Sequence, residues 1–506
     1  MTMKETRILD YGKDEVREKL LQAFRRGQKE YAAADLARVT GLPLAQINAE
    51  MPALADEYRG RLKVSDKGDL IYSFPEGLRS RYKGFGPALA RFAKAFARGA
   101  VRAGKALFKI WILVTLVGYF VLFIALALVA FFGSIAIQQG GGRDRDNRRG
   151  GGGLGGLWLT TRLFDSLVRL WFYSELFKDP ETRYRQQLQR RERKPLHKAV
   201  FSHVFGDGDP NADWDSLLKK AFVAYVQTHK GVITMPEFMA LSGLRPGDAQ
   251  DRITRFLVEF EGRPEVTENG ALYFFFPSLL AAASQVPSAA ASTFPMKKLK
   301  SFSSNSRKLD NTFRWVNIVN LLFGSYYGWH ALNIGTDVLV RTPDGIGLRG
   351  GFAFLYSSTI YLFAQLGVAQ PAVVVGWLLG AAPLAFSLLF FSIPLVRSLR
   401  LKSENEQLKR ENLRRLLYAT VLGAPQRLNP AAIQTGMMEA TAASPKALEE
   451  ELDHLAAWAS GEPDADGTWS FKDIHFTLEE AERVRAAIDE SKFAPGQTVF
   501  DTEKPL

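Results

Sequence analysis

A long run of this chain, from Ile110 to Gln138, contains no charged residue. The run reads IWILVTLVGYFVLFIALALVAFFGSIAIQ. About 20 apolar residues in a helix span the hydrocarbon core of a bilayer, and a buried helix of a globular domain is seldom so uniformly apolar. The sequence therefore predicts a transmembrane helix at 110–138, followed by a glycine-rich loop at 139–155.

Three more apolar segments are candidate membrane spans, at 315–335, 351–370 and 371–396. The last two meet at Gln370-Pro371 with no charge between them, which predicts a tight hairpin. Aromatic residues near the segment ends suit the interfacial belts of membrane proteins. The pattern leaves open whether 315–335 crosses the bilayer completely.

A helix of another kind is predicted at 156–178, where Arg162, Asp165 and Arg169 recur every three or four residues in an apolar background. This pattern is typical of an amphipathic helix lying in the membrane interface. The segment could equally be the polar-faced member of a hairpin with the first span, and both interpretations stay open.

An internal repeat organises the rest of the chain. Residues 20–78 and 222–280 align without a gap, and their matching residues are Gly41 and Gly243, Gly60 and Gly262, Gly68 and Gly270, and Pro75 and Pro277. Each copy has patterns for three helices and then a two-stranded hairpin around a glycine turn, the order of a winged helix. A weaker third copy begins near residue 412.

The predicted fold class is α+β: a multidomain membrane protein with three winged-helix-like modules interleaved with transmembrane α-helices. The modules are placed at 10–78, 216–280 and 418–490. The segments between and after them are a basic helix at 79–109, a basic linker with an acidic loop at 179–215, a basic Ser/Ala-rich linker at 281–314, a charged helix at 397–417 and a tail at 491–506.

The third helix of each module decides between nucleic acid and protein as a partner. In DNA-binding winged helices this helix enters the major groove and is basic or reads bases. Here it is not basic, and phosphate groups would repel its acidic residues. The acidic residues include Glu50, Asp56 and Glu57 in the first copy and Glu449, Glu450, Glu451 and Asp453 in the third. The second copy mixes Asp248, Asp251, Glu259 and Glu261 with Arg252 and Arg255. We therefore interpret the modules as protein-binding and do not expect nucleic acid as a partner.

The positive charge of the chain, +12 overall, is concentrated beside the first predicted span. Residues 79–109 contain nine basic residues and no acidic one. Six of them recur at helical spacing and are predicted to lie on the membrane surface: Arg91, Lys94, Arg98, Arg102, Lys105 and Lys109. Anionic lipid headgroups are the expected counter-charge.

An acidic loop precedes the second module, in the stretch HVFGDGDPNADWDS. Its alternating oxygen-bearing residues are the candidate ligands of a Ca²⁺ or Mg²⁺ ion: Asp207, Asp209, Asn211, Asp213 and Asp215. An EF-hand loop also needs glycine at position 6 and glutamate at position 12, where this chain has Ala212 and Leu218. The favoured alternative is a turn in which Gly206 and Gly208 have positive φ, with Asp213 or Asp215 capping the next helix.

No catalytic residue is predicted. The chain has no cysteine, which excludes disulfides, thiolate nucleophiles and cysteine-ligated clusters. None of the six histidines pairs with another at metal-ligand spacing, and GxSxG, P-loop and HExxH motifs are absent. A histidine inside a membrane segment, such as His330, can mark a proton path, but an interfacial position near a helix end is the favoured interpretation.

The segment KAVFSHVFGDGDPN, together with the duplicated modules and apolar segments, resembles a family of cyanobacterial and chloroplast membrane proteins. Some plant members of that family are labelled as iron–sulfur cluster biosynthesis proteins. The resemblance implies a role near cluster assembly, but a chain without cysteine is poorly suited to hold a cluster itself. We therefore carry over the membership and not the function.

These patterns predict a multi-pass protein of a bacterial inner membrane, a scaffold whose modules serve protein–protein contacts on the cytoplasmic side. The N-terminus has no apolar signal segment, so we expect the first module to start in the cytoplasm. Expected partners are anionic lipid and an unidentified protein, and self-association is left open. The alternatives are a membrane-tethered winged-helix transcription regulator, or a transporter or channel component, for which Asn317, Asn320 and Gln365 are the polar residues in question.

Overall fold

The computed structural model describes residues 11–26, 30–75, 77–78, 85–139, 195–283, 294–342 and 345–502. It divides into two units. Unit 1 contains the described residues of Met1–Ala93, Asp209–Lys300 and Lys402–Leu506, and unit 2 those of Lys94–Gly208 and Ser301–Leu401. Each unit therefore combines segments that are far apart in the sequence, and each is rich in helices with small antiparallel sheets.

The first repeat copy, module 1, forms three helices and a small sheet in unit 1. Its elements are α1 (Lys13–Arg26), β1 (Glu30–Ala32), α2 (Ala33–Thr40), α3 (Leu44–Glu57), β2 (Arg61–Ser65) and β3 (Leu70–Ser73). Strands β2 and β3 form the expected hairpin, and β1 pairs with the other side of β3. Leu20 of α1, Ile47 of α3 and Tyr72 of β3 are buried in the same core.

The second copy, module 2, has the same order of elements. They are α6 (Trp214–Thr228), β4 (Val232–Ile233), α7 (Met235–Ser242), α8 (Pro246–Glu259), β5 (Arg263–Val266) and β6 (Leu272–Phe275). A capping box starts α7, because the Glu237 side chain accepts from Thr234 N at 2.8 Å. Its core is aromatic, with Phe222 edge-on to Phe256 at a centroid distance of 4.8 Å.

The third copy, module 3, repeats the order with shorter strands. It consists of the last part of α12 (Ala382–Gly423), then α13 (Pro430–Thr441), α14 (Pro445–Trp458), β9 (Glu462–Pro463) and β10 (Trp469–Ser470). An isolated antiparallel β-bridge between Leu428 and Trp469 occupies the position that β1 and β4 have in the other modules. Ser444 starts α14 by accepting a hydrogen bond from Ala447 N.

Two backbone features recur at equivalent positions of all three modules. The second helix ends in a left-handed residue: Gly41 with φ 72°, Gly243 with φ 68° and Ala442 with φ 55°. After the third helix, a glycine packs so closely on an aromatic ring of the last strand or its end that a Cβ would overlap the ring. These pairs are Gly60 and Phe74, Gly262 and Phe276, and Gly461 and Phe471. The weak third copy therefore shares the local geometry of the other two.

The modules stack within unit 1 through one repeated interface. The end of α2 packs on α6, where Ser216 Oγ donates to Thr40 O at 3.2 Å. In the same way the end of α7 packs on α12, where Arg415 Nη2 donates to Ser242 O at 2.6 Å. One continuous apolar core runs through all three modules. The internal repeat alone does not predict this stacking, because the three modules are separated in the sequence by the apolar segments.

The C-terminal part of the chain crosses unit 1. Helix α15 (Lys472–Ala487) packs on module 2 through Arg485, whose Nη2 donates to both Glu237 oxygens, at 2.7 and 2.8 Å. Strand β11 (Thr498–Asp501) then pairs with the outer edge of β2 in module 1. The sequence predicted only a tail at 491–506, and the structure adds this strand to it.

Unit 2 is a helical unit. Its elements are α4 (Phe85–Gln139), α5 (Leu196–Phe205), α9 (Arg307–Asn333), β7 (Leu339–Thr342), β8 (Gly345–Leu348), α10 (Phe354–Gln365), α11 (Pro371–Val375), a π-helical turn (Gly376–Ala381) and the first part of α12. Helix α4 joins the predicted basic helix and the first predicted span into one element. Leu116 of α4, Val200 of α5 and Phe390 of α12 belong to one apolar cluster.

Glycines let two backbones of unit 2 approach each other closely. A Cβ on Gly380, in the π-helical turn, would lie 2.9 Å from Cα of Gly328 in α9. A Cβ on Gly324, one turn earlier in α9, would lie 3.1 Å from Leu384 N. Small residues at helix crossings are typical of membrane helices, whose association depends on close packing.

Among the described residues, two stretches are long and apolar enough to cross a membrane, Gly99–Phe131 and Pro371–Gly423. They overlap two of the four predicted spans, 110–138 and 371–396. The predicted span at 351–370 is not one of these two stretches: α10 has 12 residues and would extend only about 18 Å.

The predicted span at 315–335 lies in α9, a helix of 27 residues that is long enough to cross a membrane but too polar on average to be a candidate span. A four-span, multi-pass topology is therefore not supported within the described residues. The interfacial helix predicted at 156–178, the glycine-rich loop after Gln139 and the linker up to residue 194 lie outside the described residues.

Candidate functional site

The stretch with the acidic loop forms the end of α5 and the turn after it. Helix α5 buries Val200 and Val204 and ends at Gly206, whose N–H donates to Ser202 O at 2.9 Å. Gly206 and Gly208 both have positive φ, at 83° and 91°, as the turn interpretation required. Glycine adopts this conformation without the steric penalty of a Cβ.

Arg397 of α12 binds the C-terminal end of α5. Its guanidinium donates to Ser202 O at 3.3 Å, to His203 O at 3.0 Å and to Phe302 O at 2.6 Å. The last carbonyls of a helix lack partners inside the helix and carry its negative dipole end, so a cation there is favourable. A Cβ on Gly206 would lie 3.0 Å from Arg397 Nη1, so this glycine also makes room for the guanidinium.

Asp207 ties the same turn to the segment before α9. Its Oδ2 accepts from Ser202 Oγ at 2.9 Å and from Ser304 N at 2.7 Å. Next to it, Asn305 Nδ2 donates to Ala199 O at 2.8 Å. These bonds fix the backbone at 303–305 against α5, so the side chain of Asp207 serves as a structural acceptor.

His203 occupies the buried centre of this cluster. The side chain is 2% exposed and is stacked on Phe390 at a ring-centroid distance of 5.6 Å. Its Nδ1 lies 3.1 Å from Asp310 Oδ1, and Asp310 also accepts from Ser303 Oγ at 2.5 Å. Burial lowers the pKa of His203, and the charge of Asp310 opposes that effect only in part. The imidazole is therefore neutral at neutral pH.

The remaining loop residues belong to unit 1 and have other partners. Asn211 forms a two-way pair with Lys298, donating to its O and accepting from its N, both at 2.8 Å. Asp209 accepts from Asn211 N at 2.9 Å and lies 3.3 Å from Lys300 Nζ. The backbone N–H of Asn211, and then Lys300, lower the pKa of Asp209.

The two aspartates next to α6 complete the predicted set. Asp213 occupies the N-cap position of α6, but its side chain makes no capping hydrogen bond. Asp215 forms ion pairs with Lys219, at 3.4 Å, and with Arg252. Asp213 thus begins α6 through its backbone, and its side chain does not supply the predicted cap.

Four of the five predicted cation ligands, Asp207, Asp209, Asn211 and Asp215, bind protein groups in the structure. The side chain of the fifth, Asp213, makes no capping hydrogen bond. Among the residues that the structure describes, no group of three or more His, Asp or Glu side chains is placed to hold a metal ion. Asp207, Asp209 and Asn211 bind backbone groups, whereas Asp215 pairs with side-chain cations.

The predicted membrane-surface residues all lie in α4. Arg102 and Lys105 are exposed, and Lys109 Nζ lies 4.4 Å from the ring centroid of Phe201 in α5. The side chains of Arg91, Lys94 and Arg98 lie outside the described part of the chain. Arg102 and Lys105 therefore lie in the first turns of Gly99–Phe131, the stretch that is apolar enough to cross a membrane.

Two side-chain amides, predicted from the sequence as polar groups in an apolar segment, are buried in unit 2. Asn317 donates to Ser387 O at 3.2 Å and Asn320 to Leu116 O at 2.7 Å, and neither is exposed. The Oδ1 atom of each has no hydrogen-bond partner among the described residues. Gln365, the third polar residue in question, is exposed.

The sequence interpretation missed Arg397, Ser304 and Asp310, which complete the cluster around His203. Arg397 is the first charged residue after the apolar run that ends at Val396, and that position was its one visible signal. Ser304 and Asp310 stand in a segment that the sequence assigned to a linker. Their role depends on a contact with α5, about 100 positions earlier in the chain.

No protein-family model matches this chain, and no solved structure matches it. An uncharacterised chloroplastic protein of Arabidopsis thaliana is 25% identical to it over 439 residues, which cover 81% of this chain and 73% of the plant protein. This similarity is longer than either unit, so it includes parts of both.

A pH experiment tests the buried His203. Because its folded pKa lies below the ordinary value of about 6.5, the unfolded chain binds more protons between the two values. The stability that neutral His203 contributes is therefore complete above about pH 6.5 and is lost as the pH falls below it. We expect His203→Asn to flatten the pH dependence of the thermal midpoint between pH 7 and 5.

The measurement is thermal unfolding of the detergent-solubilised full chain at a series of pH values, followed by circular dichroism. His454→Asn is the matched control, since His454 is exposed in α14. If wild type and His203→Asn lose the same midpoint temperature on acidification, the proposed neutral state of His203 is wrong.

Proposed function

We propose that this protein is a non-catalytic scaffold anchored in a membrane, in which unit 2 is the anchor and unit 1 is the platform for partner proteins. The observation that carries the proposal is the single apolar core shared by all three modules. Modules that share a core present fixed surfaces, as repeat proteins do when they bind partners.

The membrane part of the proposal is supported by the two apolar stretches and by the glycine crossing of Gly328 with Gly380. We keep a bacterial inner membrane as the proposed location, with a plastid membrane as the alternative that the chloroplastic relative favours. We also propose that the chain belongs to the cyanobacterial and chloroplast family and that its modules are winged helices.

The exposed charges on the third helices support protein rather than nucleic acid as the partner. On α3, α8 and α14 the exposed acidic residues outnumber the exposed basic ones. The acidic residues are Asp56, Asp248, Asp251, Glu449 and Asp453, and the basic ones are Arg255 and Lys446. A DNA-binding surface needs cations that replace counterions on phosphate.

A second candidate, a transporter or channel component, has one observation in its favour. Asn317 and Asn320 are buried in unit 2, each with a side-chain oxygen that lacks a partner among the described residues. Each amide nevertheless donates to a backbone carbonyl of another helix, which is the usual way that asparagine holds membrane helices together. Solute flux in proteoliposomes that Asn320→Leu abolishes would favour this candidate over the scaffold.

The test of the scaffold is site-specific photo-crosslinking of the full chain in its native membrane. Photoreactive residues at three exposed positions of the third helices, Asn48, Thr254 and His454, are expected to capture protein partners. The control position is Glu18, which is exposed on α1. Tight binding of duplex DNA with a steep salt dependence, and no protein adduct above the control, would reject the scaffold in favour of the transcription regulator.

A further inference from the structure

The outer edge strands of the three modules differ at one equivalent position. Two residues after the glycine that packs on the aromatic ring, module 1 has Leu62, module 2 has Pro264 and module 3 has Pro463. Proline has no N–H to donate, and its presence at an edge prevents another strand from pairing there. Modules 2 and 3 therefore have blocked edges, and module 1 has an edge that can pair.

The backbone N–H and C=O of Leu62 form hydrogen bonds with the C-terminal segment. Leu62 N donates to Thr502 Oγ1 at 3.1 Å, and Thr502 N donates to Leu62 O at 3.2 Å. Strand β11 follows the edge further, with Phe500 opposite Val64. The N–H that proline removes in modules 2 and 3 is thus one of the groups that bind the C-terminal segment in module 1.

Charge fixes the register of this strand. The Arg61 guanidinium binds the Asp501 carboxylate through two hydrogen bonds, one of them 2.7 Å from Nε to Oδ1. Lys67 Nζ donates to the backbone oxygens of Ser491 and Ala494, at 2.7 and 2.8 Å. A paired guanidinium and carboxylate give geometric specificity as well as energy.

The strand buries little apolar surface. Val499 is 53% exposed and Phe500 is 42% exposed. Its attachment therefore depends on backbone hydrogen bonds, each worth about 1 kcal/mol net, and on the Arg61–Asp501 pair. A strand held in this way can be replaced by another strand that offers the same groups.

We propose that the edge of β2 is a docking site for an extended, acidic segment of a partner protein, and that β11 is its internal competitor. The partner adds a strand to the sheet, and its specificity comes from a carboxylate opposite Arg61. This inference rests on the scaffold function and names one of its binding surfaces.

The experiment uses a fluorescent peptide with the sequence of residues 497–502, QTVFDT, and the detergent-solubilised full chain. Deletion of 497–506 is expected to raise the affinity for the peptide at least tenfold over wild type, because the competitor is gone. The same peptide with asparagine in place of Asp501 is expected to bind the deletion variant at least tenfold more weakly than the original.

The matched control is Leu62→Pro in the deletion variant. It gives module 1 the residue that modules 2 and 3 carry at this position, so the fold is expected to persist while peptide binding is lost. Circular dichroism checks the fold. Equal peptide binding by wild type, the deletion variant and the Leu62→Pro variant would overturn the docking site.

Two further outcomes would reject the docking site without rejecting the scaffold. A wild-type dimer that Leu62→Pro abolishes would mean that copies of the chain exchange their tails, and the partner-protein site would be rejected. If photo-crosslinking captures the same partner in wild type and in Leu62→Pro, while no peptide binds to any variant, the scaffold stands and the β2 docking site is wrong.

Discussion

Replacing Glu237 by glutamine is expected to lower the free energy of unfolding of unit 1 by about 3 kcal/mol. The carboxylate is 3% exposed, and Arg485, which it pairs with, is 6% exposed. Glutamine keeps the volume but removes the charge, so the buried guanidinium loses its counter-charge. Glu482 also pairs with Arg485 but is 69% exposed, and solvent screens its charge.

The internal repeat supplies the control for this substitution. Asp35 occupies the position of Glu237 in module 1 and is fully buried, but its partners are the backbone N–H groups of Ala32 and Ala283 and the partly exposed Arg38. Asparagine can still accept those backbone hydrogen bonds, so Asp35→Asn is expected to cost about 1 kcal/mol.

Thermal unfolding of the full chain in detergent micelles measures both variants. A loss of about 3 kcal/mol corresponds to a fall of about 5 °C in Tm for a unit of this size. Similar Tm values for Glu237→Gln and Asp35→Asn would contradict the role assigned to the buried ion pair. In that case the attachment of α15 to module 2 would depend on apolar packing.

The repeat is the part of the fold that local sequence could reveal. Turn and cap glycines such as Gly41 and Gly68 occupy positions that need positive φ, so their spacing survives in the second copy. In the third copy the turn glycine, Gly467, is retained, whereas Ala442 replaces the glycine that ends the second helix. Strands β1 and β4 escaped prediction because runs of two or three residues carry no periodicity.

The assembly of unit 1 could not be predicted from local pattern. The contact of Ser216 with Thr40 joins residues 176 positions apart, and that of Arg61 with Asp501 joins residues 440 apart. Neither contact leaves a periodic signal, since each depends on a few polar atoms at helix and strand ends. The proline pattern of the edge strands becomes meaningful only once the strands are known to be equivalent.

The sequence marked the acidic stretch as a candidate cation site or a capping turn, and in the structure its oxygens have protein partners. Acidic residues in alternation suggested ligands, but turns also place such residues where their oxygens meet backbone N–H groups. Asp207 and Asp209 follow this second pattern, with Ser304 N and Asn211 N as donors. Hydrophobicity alone overestimated the membrane spans, because α9 and α10 are apolar in part but too polar or too short to cross.

Replacing Gly243 by alanine is expected to cost about 3 kcal/mol of unfolding free energy, by a mechanism specific to the stacking of modules. The residue has φ 68°, and the left-handed conformation costs an L-residue roughly 1–2 kcal/mol. The new Cβ would also lie 2.7 Å from Glu411 O in the adjacent module, and such overpacking costs about 1–3 kcal/mol.

Gly270→Ala separates the two contributions. Gly270 has φ 91° and nothing within 4 Å of an added Cβ, so this variant is expected to show only the conformational cost of roughly 1–2 kcal/mol. Gly41→Ala, with a Cβ 2.8 Å from Ser216 O, is expected to resemble Gly243→Ala. Thermal unfolding of the three variants in micelles checks the order, and equal losses would contradict the steric argument.

Ala442 agrees with this steric argument. It adopts φ 55° at the exposed end of α13, where no further module covers the residue.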